Sequence, residues 1–382
     1  MYKFLQFEVE HITYKLNYDI NKDTDKDTNK EIEKYNEEFD EIRKQLSSTK
    51  NVIDTISEQD YSYLSQNLDV YKTMKQILYR KYNMQVVTNA TIKIYEIITQ
   101  MDIIKNNKLN AFFNAELPGG FIVGVNHYMK TMFDNSSFNW VASSYISKKG
   151  TLGDKFGIYE FNKNNWLMDS DMNGNLMDKN NITIITKKVL KRFPKGVDLY
   201  TSDAGFDVSS DYNTQEEQTL LLNYGQIITG LFTLSIDGSM ITKQFTFFTP
   251  FSRSMIILLS SLFEKIFITK PATSRPLNSE IYVVCIKFKG ISDNLKDFLL
   301  DRMDNIDPNI PIILYKPTET LLNIAKYIYI DNQVKYINYA FDVYATNKYI
   351  NKSNYRHIHD DWLKYNPMKP IKKEDFLLYN NY

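Results

Sequence analysis

The sequence predicts an α/β protein with a mostly parallel sheet covered by helices on both faces, and three observations support this prediction. From residue 110 onward, short apolar runs of strand-like composition alternate with helix-like segments. These segments are long enough to cross over between parallel strands, whereas antiparallel neighbours need only a short turn. Hydrophobic residues make up 43% of the 382 residues, which is enough to bury a core.

Composition argues against several other classes of protein. The net charge is +0, so any surface that binds nucleic acid must be local. The single cysteine, Cys285, excludes disulfides within the chain and favours a reducing, cytoplasmic compartment. Four scattered histidines show no zinc-binding pattern, so no metal site is expected. The longest apolar run, Met255–Phe263, is too short to span a bilayer, and no secretory leader is expected.

The chain divides into three predicted parts. Residues 1–79 form a charged, partly helical extension, in which residues 19–60 carry thirteen acidic and seven basic side chains. That stretch changes from low complexity to a helix-like pattern, which is typical of a solvated loop followed by an exposed helix. Residues 80–295 form the main domain, and residues 296–382 form a Tyr-rich, mainly helical extension.

The main domain opens with a predicted helix and continues with alternating strands and helices. Each predicted strand is a short apolar run, and each predicted helix carries apolar residues at helical spacing. In chain order the predictions are helix 88–101, strand 111–115, helix 119–132, strands 138–143, 181–186 and 197–202, helix 215–234, strand 239–245, helix 251–263, and strands 266–269 and 281–288.

The stretch Glu116-Leu-Pro-Gly-Gly120 follows the first of these strands and opens a helix. Glycines at such a turn let a ligand approach the backbone, and a helix N-terminus offers N–H groups. The stretch does not match GxGxxG, so a pyrophosphate ligand is not indicated. Glu116 instead favours a ligand with a cationic part. A tight turn without a ligand is the alternative.

Two charged residues lie near the ends of later strands. Asp203 comes directly after strand 197–202, at the edge where open α/β sheets bind ligands. It needs a cationic partner if it is buried, and capping of a turn is the alternative. Lys243 lies near the carboxyl end of an apolar strand. Lysines are rarely buried without a partner, and an amine that reaches solvent is the alternative.

The loop before the last strand is unusually polar, since residues 268–285 read ITKPATSRPLNSEIYVVC. A hairpin needs only two to five turn residues. Arg275 can bind phosphate in a bidentate way, and Glu280 begins the strand that follows. A surface contact between Arg275 and Glu280 is the alternative. Lys93, on helix 88–101, gains interest only through these groups, because a lone helical lysine is usually exposed.

These signals lie at or near one edge of the predicted sheet, so two lysines, an aspartate and a glutamate are expected to converge beside the Gly119–Gly120 turn. The stretches that carry them are TNATIKIYEII (88–98), ELPGGF (116–121), SDAGF (202–206), FTPFS (248–252) and KPATSRPLNSEIYVVC (270–285). Over roughly residues 80–290 the chain resembles the FtsJ-like RNA ribose 2′-O-methyltransferases, which carry a Lys-Asp-Lys-Glu tetrad. Within that family it is most similar to cap-specific mRNA enzymes of large cytoplasmic DNA viruses, the asfarvirus type.

The resemblance implies a Rossmann-like methyltransferase fold with a seven-stranded sheet and S-adenosylmethionine as cofactor. The implied catalytic residues are Lys93, Asp203, Lys243 and Glu280. The implied cofactor-binding residues are Glu116, Pro118, Gly119, Gly120, Phe121 and Asp203. Two features depart from the family pattern: Ala204 replaces a common glycine, and Asn180 and Asn181 stand where relatives often have an aspartate before the third strand.

The implied reaction is in-line transfer of a methyl group to a ribose 2′-oxygen, with Lys243 as the expected base. An ordinary lysine pKa of about 10.4 is too high for this role at neutral pH. Desolvation, Lys93 and the cationic sulfonium must therefore lower the pKa more than Asp203 raises it. Asp203 would orient Lys243, while Glu280 and Lys93 would fix the acceptor ribose.

Recognition of RNA is expected to involve further residues. Ser274 and Arg275 would hold the flanking phosphates, and the basic cluster Lys187–Lys195 would extend this track or form an exposed helix face. A methylated guanine needs aromatic stacking beside a carboxylate. Trp140, Trp166 and Trp362 are candidates for that stacking or for the core, and no cap pocket is assigned.

The expected function is thus methylation of the ribose 2′-hydroxyl of the first transcribed nucleotide of capped mRNA. A methyltransferase of rRNA or tRNA, or a catalytically silent RNA-binding subunit, are the alternatives. The missing phosphate fingerprint argues against a dinucleotide oxidoreductase. The expected partners are the capped mRNA 5′ end and other capping or transcription proteins, in the host cytoplasm or virion and without a membrane.

Overall fold

The computed structural model describes residues 3–16, 26–53, 55–145, 153–168, 173–205, 212–346 and 355–379. Two parts of the sequence analysis lie outside these residues. They are Phe206 of the stretch 202–206 and the start of the low-complexity stretch, residues 19–25. The structure confirms the predicted α/β class.

The secondary structure follows the chain in this order. The strands are β1 (Leu5–Val9), β2 (Tyr14–Leu16), β3 (Lys108–Asn114), β4 (Ser137–Ser143), β5 (Val197–Ser202), β6 (Leu234–Gln244), β7 (Phe263–Lys270), β8 (Ile281–Phe288) and β9 (Ile313–Tyr315). The helices are α1 (Lys26–Ile53), α2 (Glu58–Asn67), α3 (Met74–Tyr82), α4 (Asn89–Gln100), α5 (Gly120–Met132), α6 (Ile158–Phe161), α7 (Lys179–Arg192), α8 (Gln215–Thr233), α9 (Pro250–Leu262), α10 (Asp293–Arg302), α11 (Glu319–Ala325), α12 (Lys335–Ala345) and α13 (Tyr355–Tyr365). A π-helical segment, Lys326–Val334, joins α11 to α12.

The central sheet has seven strands in the order β1-β7-β8-β6-β5-β3-β4. Strands β3 to β6 pair in parallel, and β8 is antiparallel to both β6 and β7. Strand β1 pairs antiparallel with β7. Five strands, β3 to β7, therefore run in one direction, while β8 and β1 run in the other. The start of β8 thus lies at the same edge as the carboxyl ends of β3, β5 and β6.

Two details differ from the predicted elements. The strand predicted at 181–186 is wrong, because those residues lie within α7. Ile182, Ile185 and Val189 are buried at helical spacing, and the Asp178 side chain accepts a hydrogen bond from the Asn180 N–H as a cap. A run of β-branched residues hid this helical period. Consequently Asn180 and Asn181 open a helix and do not precede a strand, and the seventh strand is β1 from the N-terminal extension.

The core lies on both faces of the sheet, because side chains alternate along each strand. Ala111 and Phe113 of β3 pack with α4 and α5, whereas Phe112 packs with α7, α8 and α9 on the opposite face. The sheet is therefore sandwiched between helices, as the length of the crossover segments predicts. Its strand ends are left to form a site at one edge.

The N-terminal helix α1 is not simply exposed. Its buried residues Tyr35, Phe39, Ile42 and Leu46 form one stripe that faces the segment Lys326–Val334 and α12. The charged residues cover the other side of the helix, which explains why composition alone suggested a solvated face. The two extensions of the chain therefore pack against each other as well as against the sheet.

The C-terminal residues 355–379 lie across the helices on the α4 side of the sheet. Tyr95 donates to the Pro367 carbonyl at 2.8 Å, and the Gln85 amide donates to the Leu378 carbonyl at 2.7 Å. The His127 ring nitrogen Nε2 lies 2.9 Å from the Lys369 carbonyl oxygen. This part of the chain acts as a cover for α4 and α5. Among the helices that the structure describes, none has the length and apolar character that a membrane span requires.

Candidate active site

The four residues of the expected tetrad lie at one edge of the sheet. Asp203 directly follows β5, Lys243 lies near the end of β6, and Glu280 directly precedes β8. Their strands are neighbours, since Ser202 pairs with Thr242 and Lys243 pairs with Tyr282. Lys93 approaches from α4, which packs over this edge. The sequence prediction that these side chains converge agrees with this placement.

The tetrad forms two ion pairs, of which Lys93–Glu280 is buried and Lys243–Asp203 is partly buried. Lys93 Nζ lies 2.5 Å from Glu280 Oε1, and Lys243 Nζ lies 3.0 Å from Asp203 Oδ1. Lys243 also donates to the Asp203 backbone carbonyl at 3.0 Å. The side chains of Lys93 and Glu280 are only 10% and 9% exposed, so the two charges need each other.

The two ion pairs influence each other electrostatically. Burial acts to raise the pKa of Glu280, but the charges of Lys93 and Lys243 outweigh it and hold that pKa below its ordinary value. Burial likewise acts to lower the pKa of Lys243, but Asp203 and Glu280 outweigh it, and the pKa of Lys243 is raised. Glu280 is therefore a carboxylate at neutral pH, and Lys243 is an ammonium.

The raised pKa of Lys243 bears directly on its expected role as a base. For that role, the positive charges around Lys243 would have to lower its pKa more than the carboxylates raise it. In the protein alone, the carboxylates have the larger effect. The physical reason is the direct contact with Asp203, whose carboxylate oxygen Oδ1 lies 3.0 Å from the Lys243 amine. An additional cation nearby would lower this pKa and so favour loss of the proton.

Neighbouring hydroxyl groups hold the two carboxylates in place. The Tyr282 hydroxyl donates to Asp203 Oδ1 at 3.2 Å, and the Ser274 hydroxyl donates to Glu280 Oε1 at 3.0 Å. Ser274 was predicted to contact RNA, and it is instead buried beside Glu280. Its hydroxyl therefore orients the Glu280 carboxylate in this structure.

The loop between β7 and β8 is held by two buried charges that the sequence analysis did not single out. Glu96 on α4 accepts hydrogen bonds from the backbone of Ala272 and Thr273. Lys270 donates to the Glu280 carbonyl at 2.8 Å and to the Asn278 carbonyl at 2.9 Å. The available signal was the spacing, because Glu96 follows Lys93 by three residues and so shares its side of the helix.

Burial lowers the pKa of Lys270 to about 7, and Lys93 adds to that effect while Glu280 opposes it. By pKa alone this amine would suit a base better than Lys243. However, Lys270 donates its hydrogen bonds to backbone carbonyls of the loop, whereas the Lys243 amine contacts the Asp203 carboxylate. We therefore assign Lys270 a structural role, in which it holds the loop between β7 and β8.

The turn at Glu116–Gly120 is organised by Glu116 itself. One of its carboxylate oxygens, Oε1, accepts from the N–H groups of Phe121 and Ile122 at 2.8 and 3.0 Å. The start of α5 therefore has fewer free N–H groups than expected, which makes it less suited to an anion. A cis peptide bond joins Leu117 and Pro118.

Different physical constraints require glycine at the two glycine positions of this turn. Gly119 has a φ of 101°, which a side chain would strain, and an added Cβ would lie 2.7 Å from Ile158. At Gly120 an added Cβ would lie 2.9 Å from both Ala90 and the Thr88 hydroxyl. Close packing of α4 on α5 thus requires Gly120, independently of any ligand. Ala204 lies outside the left-handed region of φ, so its replacement of glycine causes no strain.

The turn and the tetrad together favour a cationic ligand. Burial raises the pKa of Glu116 well above its ordinary value, and the nearby Asp203 carboxylate raises it further. Two carboxylates facing one region of low exposure are stabilised when a cation lies between them. No group of three side chains suited to hold a metal ion occurs in the part of the chain that the structure describes.

The other predicted RNA contacts have different outcomes. Arg275 is exposed beside the tetrad, and its side chain forms no hydrogen bond or ion pair with the described residues. The basic cluster Lys187–Lys195 covers the end of α7, which leads into the start of β5 at the opposite edge of the sheet. It therefore does not extend a track from the tetrad. Trp140, Trp166 and Trp362 are buried in the core, so none offers a stacking surface.

A helix-flanked sheet of this kind, with a carboxylate-bearing turn and a Lys-Asp-Lys-Glu cluster of low exposure at its carboxyl edge, is the arrangement of a methyltransferase of the α/β class. A sequence model described as FtsJ-like methyltransferase matches residues 86–288, which is more than half of the chain. The chain therefore belongs to the FtsJ-like methyltransferase family. All four residues of the tetrad lie within the matched region.

Several known proteins are similar to this chain. A protein of African swine fever virus, named "Probable methyltransferase EP424R", is 38% identical over 291 residues, which cover 73% of this chain and 68% of the relative. "Uncharacterized protein L511" of Acanthamoeba polyphaga mimivirus is 34% identical over 65% of this chain and 32% of its own length. The Drosophila melanogaster protein named cap-specific mRNA (nucleoside-2′-O-)-methyltransferase 2 is 27% identical over 72% of this chain and 40% of its own length.

Proposed function

We propose that the protein transfers a methyl group from S-adenosylmethionine to the ribose 2′-hydroxyl of the first transcribed nucleotide of capped mRNA. The observation that carries this proposal is the presence of two neighbouring ion pairs of low exposure, Lys93–Glu280 and Lys243–Asp203, at the carboxyl edge of the sheet. The relative named as a cap-specific mRNA 2′-O-methyltransferase supports capped RNA as the substrate class.

The residues present fit S-adenosylmethionine, which when bound would supply an electrophilic methyl group on a cationic sulfur. Glu116 and Asp203 offer carboxylates to the cationic parts of such a ligand, and Gly119 and Gly120 keep the turn beside them free of side chains. Pro118 and Phe121 shape the same turn. The carboxylate pair explains why the site favours a cation over the diphosphate of a dinucleotide.

The same electrostatics give Lys243 its role as proton acceptor. The amine carries a proton while Asp203 and Glu280 are the nearest charges, because they raise its pKa. An additional cation beside Lys243 lowers that pKa and releases the proton. Lys243 would then accept the proton of the ribose 2′-hydroxyl, while the cofactor would supply the methyl group and leave as the neutral thioether. Asp203 holds the amine in place through the 3.0 Å contact.

The acceptor RNA would lie over the loop between β7 and β8. Lys93 and Glu280 would fix the ribose, and Arg275 would bind a flanking phosphate. Burial lowers the pKa of Lys75 on α3, and the neighbouring charges of Arg275 and Lys93 lower it further, although Asp69 opposes them. This excess of positive charge beside the loop favours the approach of an RNA backbone.

The test is methyl transfer from labelled S-adenosylmethionine to short RNAs that differ only in the cap. We expect the label at the 2′-oxygen of the first transcribed nucleotide of capped RNA, identified after nuclease digestion. Equal methylation of uncapped RNA would remove the cap specificity, and preference for rRNA or tRNA would support the alternative enzyme. Binding of RNA without transfer would indicate a silent subunit. Action in the host cytoplasm, alongside other capping or transcription proteins, stays a prediction.

A further inference from the structure

The RNA-facing loop between β7 and β8 is fixed at its start by a buried carboxylate from another element. Glu96, which is 0% exposed, accepts from the Ala272 N–H at 2.7 Å through Oε1. Its other oxygen, Oε2, accepts from the Thr273 N–H at 3.2 Å and from the Thr273 hydroxyl at 2.6 Å. Burial raises the pKa of Glu96, and these hydrogen bonds oppose that effect.

The same turn of helix also holds the catalytic carboxylate. Lys93 precedes Glu96 by three residues, and it forms the ion pair with Glu280 at the end of the loop. One rigid turn of α4 therefore fixes the loop at two points, its start at residues 272–273 and its end at Glu280. Ser274 and Arg275 lie between these two points.

Burying a carboxylate costs free energy through desolvation, and water could satisfy the same N–H groups of a surface loop without that cost. What the carboxylate adds is a fixed distance between α4 and the loop. That distance determines where Arg275 stands relative to the Lys93–Glu280 pair, and hence how a phosphate and its neighbouring ribose fit the site together.

We propose that Glu96 is a positioning residue for the acceptor RNA, which sets the β7–β8 loop in register with the Lys93–Glu280 pair. This inference rests on the proposed function, since it assigns to Glu96 a role in binding the RNA substrate of that reaction. Glu96 does not contact the reacting atoms. Its effect is therefore expected on the KM for RNA more than on kcat.

Glu216 on α8 provides a matched control. It is a buried carboxylate that accepts from two consecutive N–H groups, those of Phe248 and Thr249, and from the hydroxyl of Thr246. These three hydrogen bonds are of the same kind as those that Glu96 accepts from Ala272 and Thr273, but they hold a loop that carries none of the tetrad. Substitutions at the two glutamates should lower stability similarly.

The experiment compares Glu96→Ala, Glu96→Gln and Glu216→Ala in the full chain. We expect Glu96→Ala to raise the KM for capped RNA about tenfold and Glu96→Gln about threefold, because the amide keeps one acceptor. The KM for S-adenosylmethionine and kcat should stay within about threefold. Glu216→Ala should lower the unfolding temperature without raising the KM for RNA. If Glu96→Ala does not fold, Glu96→Gln carries the test.

A double-mutant cycle with Thr273→Val sharpens this test. Thr273→Val should raise the KM for RNA in the wild-type background and have little effect beside Glu96→Ala, because the partner is already lost. An unchanged KM in both Glu96 variants, or an equal rise in Glu216→Ala, would overturn the positioning role. Absence of methyl transfer by the wild type would instead overturn the proposed function, and RNA affinity measured by fluorescence anisotropy would then decide the role of Glu96.

Discussion

Lys243 lies against Asp203 within a low-exposure site, and its amine is the proposed proton acceptor in the transfer. We expect Lys243→Ala to lower the rate of methyl transfer by at least about a hundredfold, in line with the usual contribution of a general base. Lys243→Arg should not rescue the rate, because a guanidinium does not release its proton. Single-turnover rates, with circular dichroism to confirm folding, check this prediction. Full activity of Lys243→Ala would exclude Lys243 as the base.

The direction of the pKa shift at Lys243 predicts the pH dependence of the reaction. The pKa is raised above its ordinary value in the protein alone, so the neutral amine becomes more abundant as the pH increases. We expect kcat/KM for S-adenosylmethionine, which reports the protein before this cationic cofactor binds, to rise with pH across the neutral range without a plateau. The profile can be measured with initial rates in buffers of constant ionic strength. A flat profile would show that a different group controls the transfer.

A substitution at Arg275 tests the proposed contact with the RNA backbone. Because it is exposed and forms no ion pair with the described residues, Arg275→Ala should leave stability unchanged and raise the KM for RNA. It should also reduce the slope of log KM against log salt concentration by about 1, as expected for one lost phosphate contact. Arg192→Ala, at the opposite edge of the sheet, is the control. Equal effects of both substitutions would point to a general charge effect.

Among single residues, the sequence predicted the tetrad better than its surroundings. Lys93, Asp203, Lys243 and Glu280 stand in stretches whose polar character conflicts with the apolar elements around them, and such conflicts mark functional sites. Glu96 and Lys270 gave no comparable signal, because each binds backbone groups of a loop whose path depends on the tertiary structure. The protonation of Lys243 depends on distances, which a sequence does not contain.

The helices α4 and α5 form the support on which the site is built. Their backbones approach closely at Gly124, where an added Cβ would lie 2.5 Å from the Ile94 side chain and 2.9 Å from the Thr91 carbonyl oxygen. Because that oxygen belongs to the helix backbone and cannot move away, we expect Gly124→Ala to destabilise the protein by about 1–3 kcal/mol. Urea unfolding measures this difference, and an unchanged midpoint would contradict the close packing.

Elements in which apolar residues recur at a regular spacing were predicted well, and elements without such a spacing were not. The spacing of apolar residues placed α4, α5, α8 and α9 within a few residues of their observed ends. Helix α7 was mistaken for a strand because β-branched residues dominate its buried face. Strand β1 gave no signal, since five residues that pair only at the sheet edge need no long apolar run.

At the level of the complete chain, the extensions are part of the fold and surround the matched family region. Strand β1 completes the sheet, α1 packs on the segment Lys326–Val334, and residues 355–379 cover α4 and α5. Composition could not predict these contacts, because the charged side of α1 dominates its sequence and the partners are distant along the chain. The position of α4, and hence of Lys93 and Glu96, depends on this cover.

Trp362 is the side chain through which the cover acts most directly. It is 0% exposed, and its ring lies 6.3 Å from the ring of Tyr95 on α4. We expect Trp362→Ala to lower the free energy of unfolding by about 3–5 kcal/mol, because it leaves a large cavity against α4. Amide hydrogen exchange should also accelerate in α4. Tyr365→Ala, which removes a half-exposed ring from the same helix, should cost less than about 1 kcal/mol. Unchanged exchange in α4 after Trp362→Ala would mean that the cover does not support the catalytic helix.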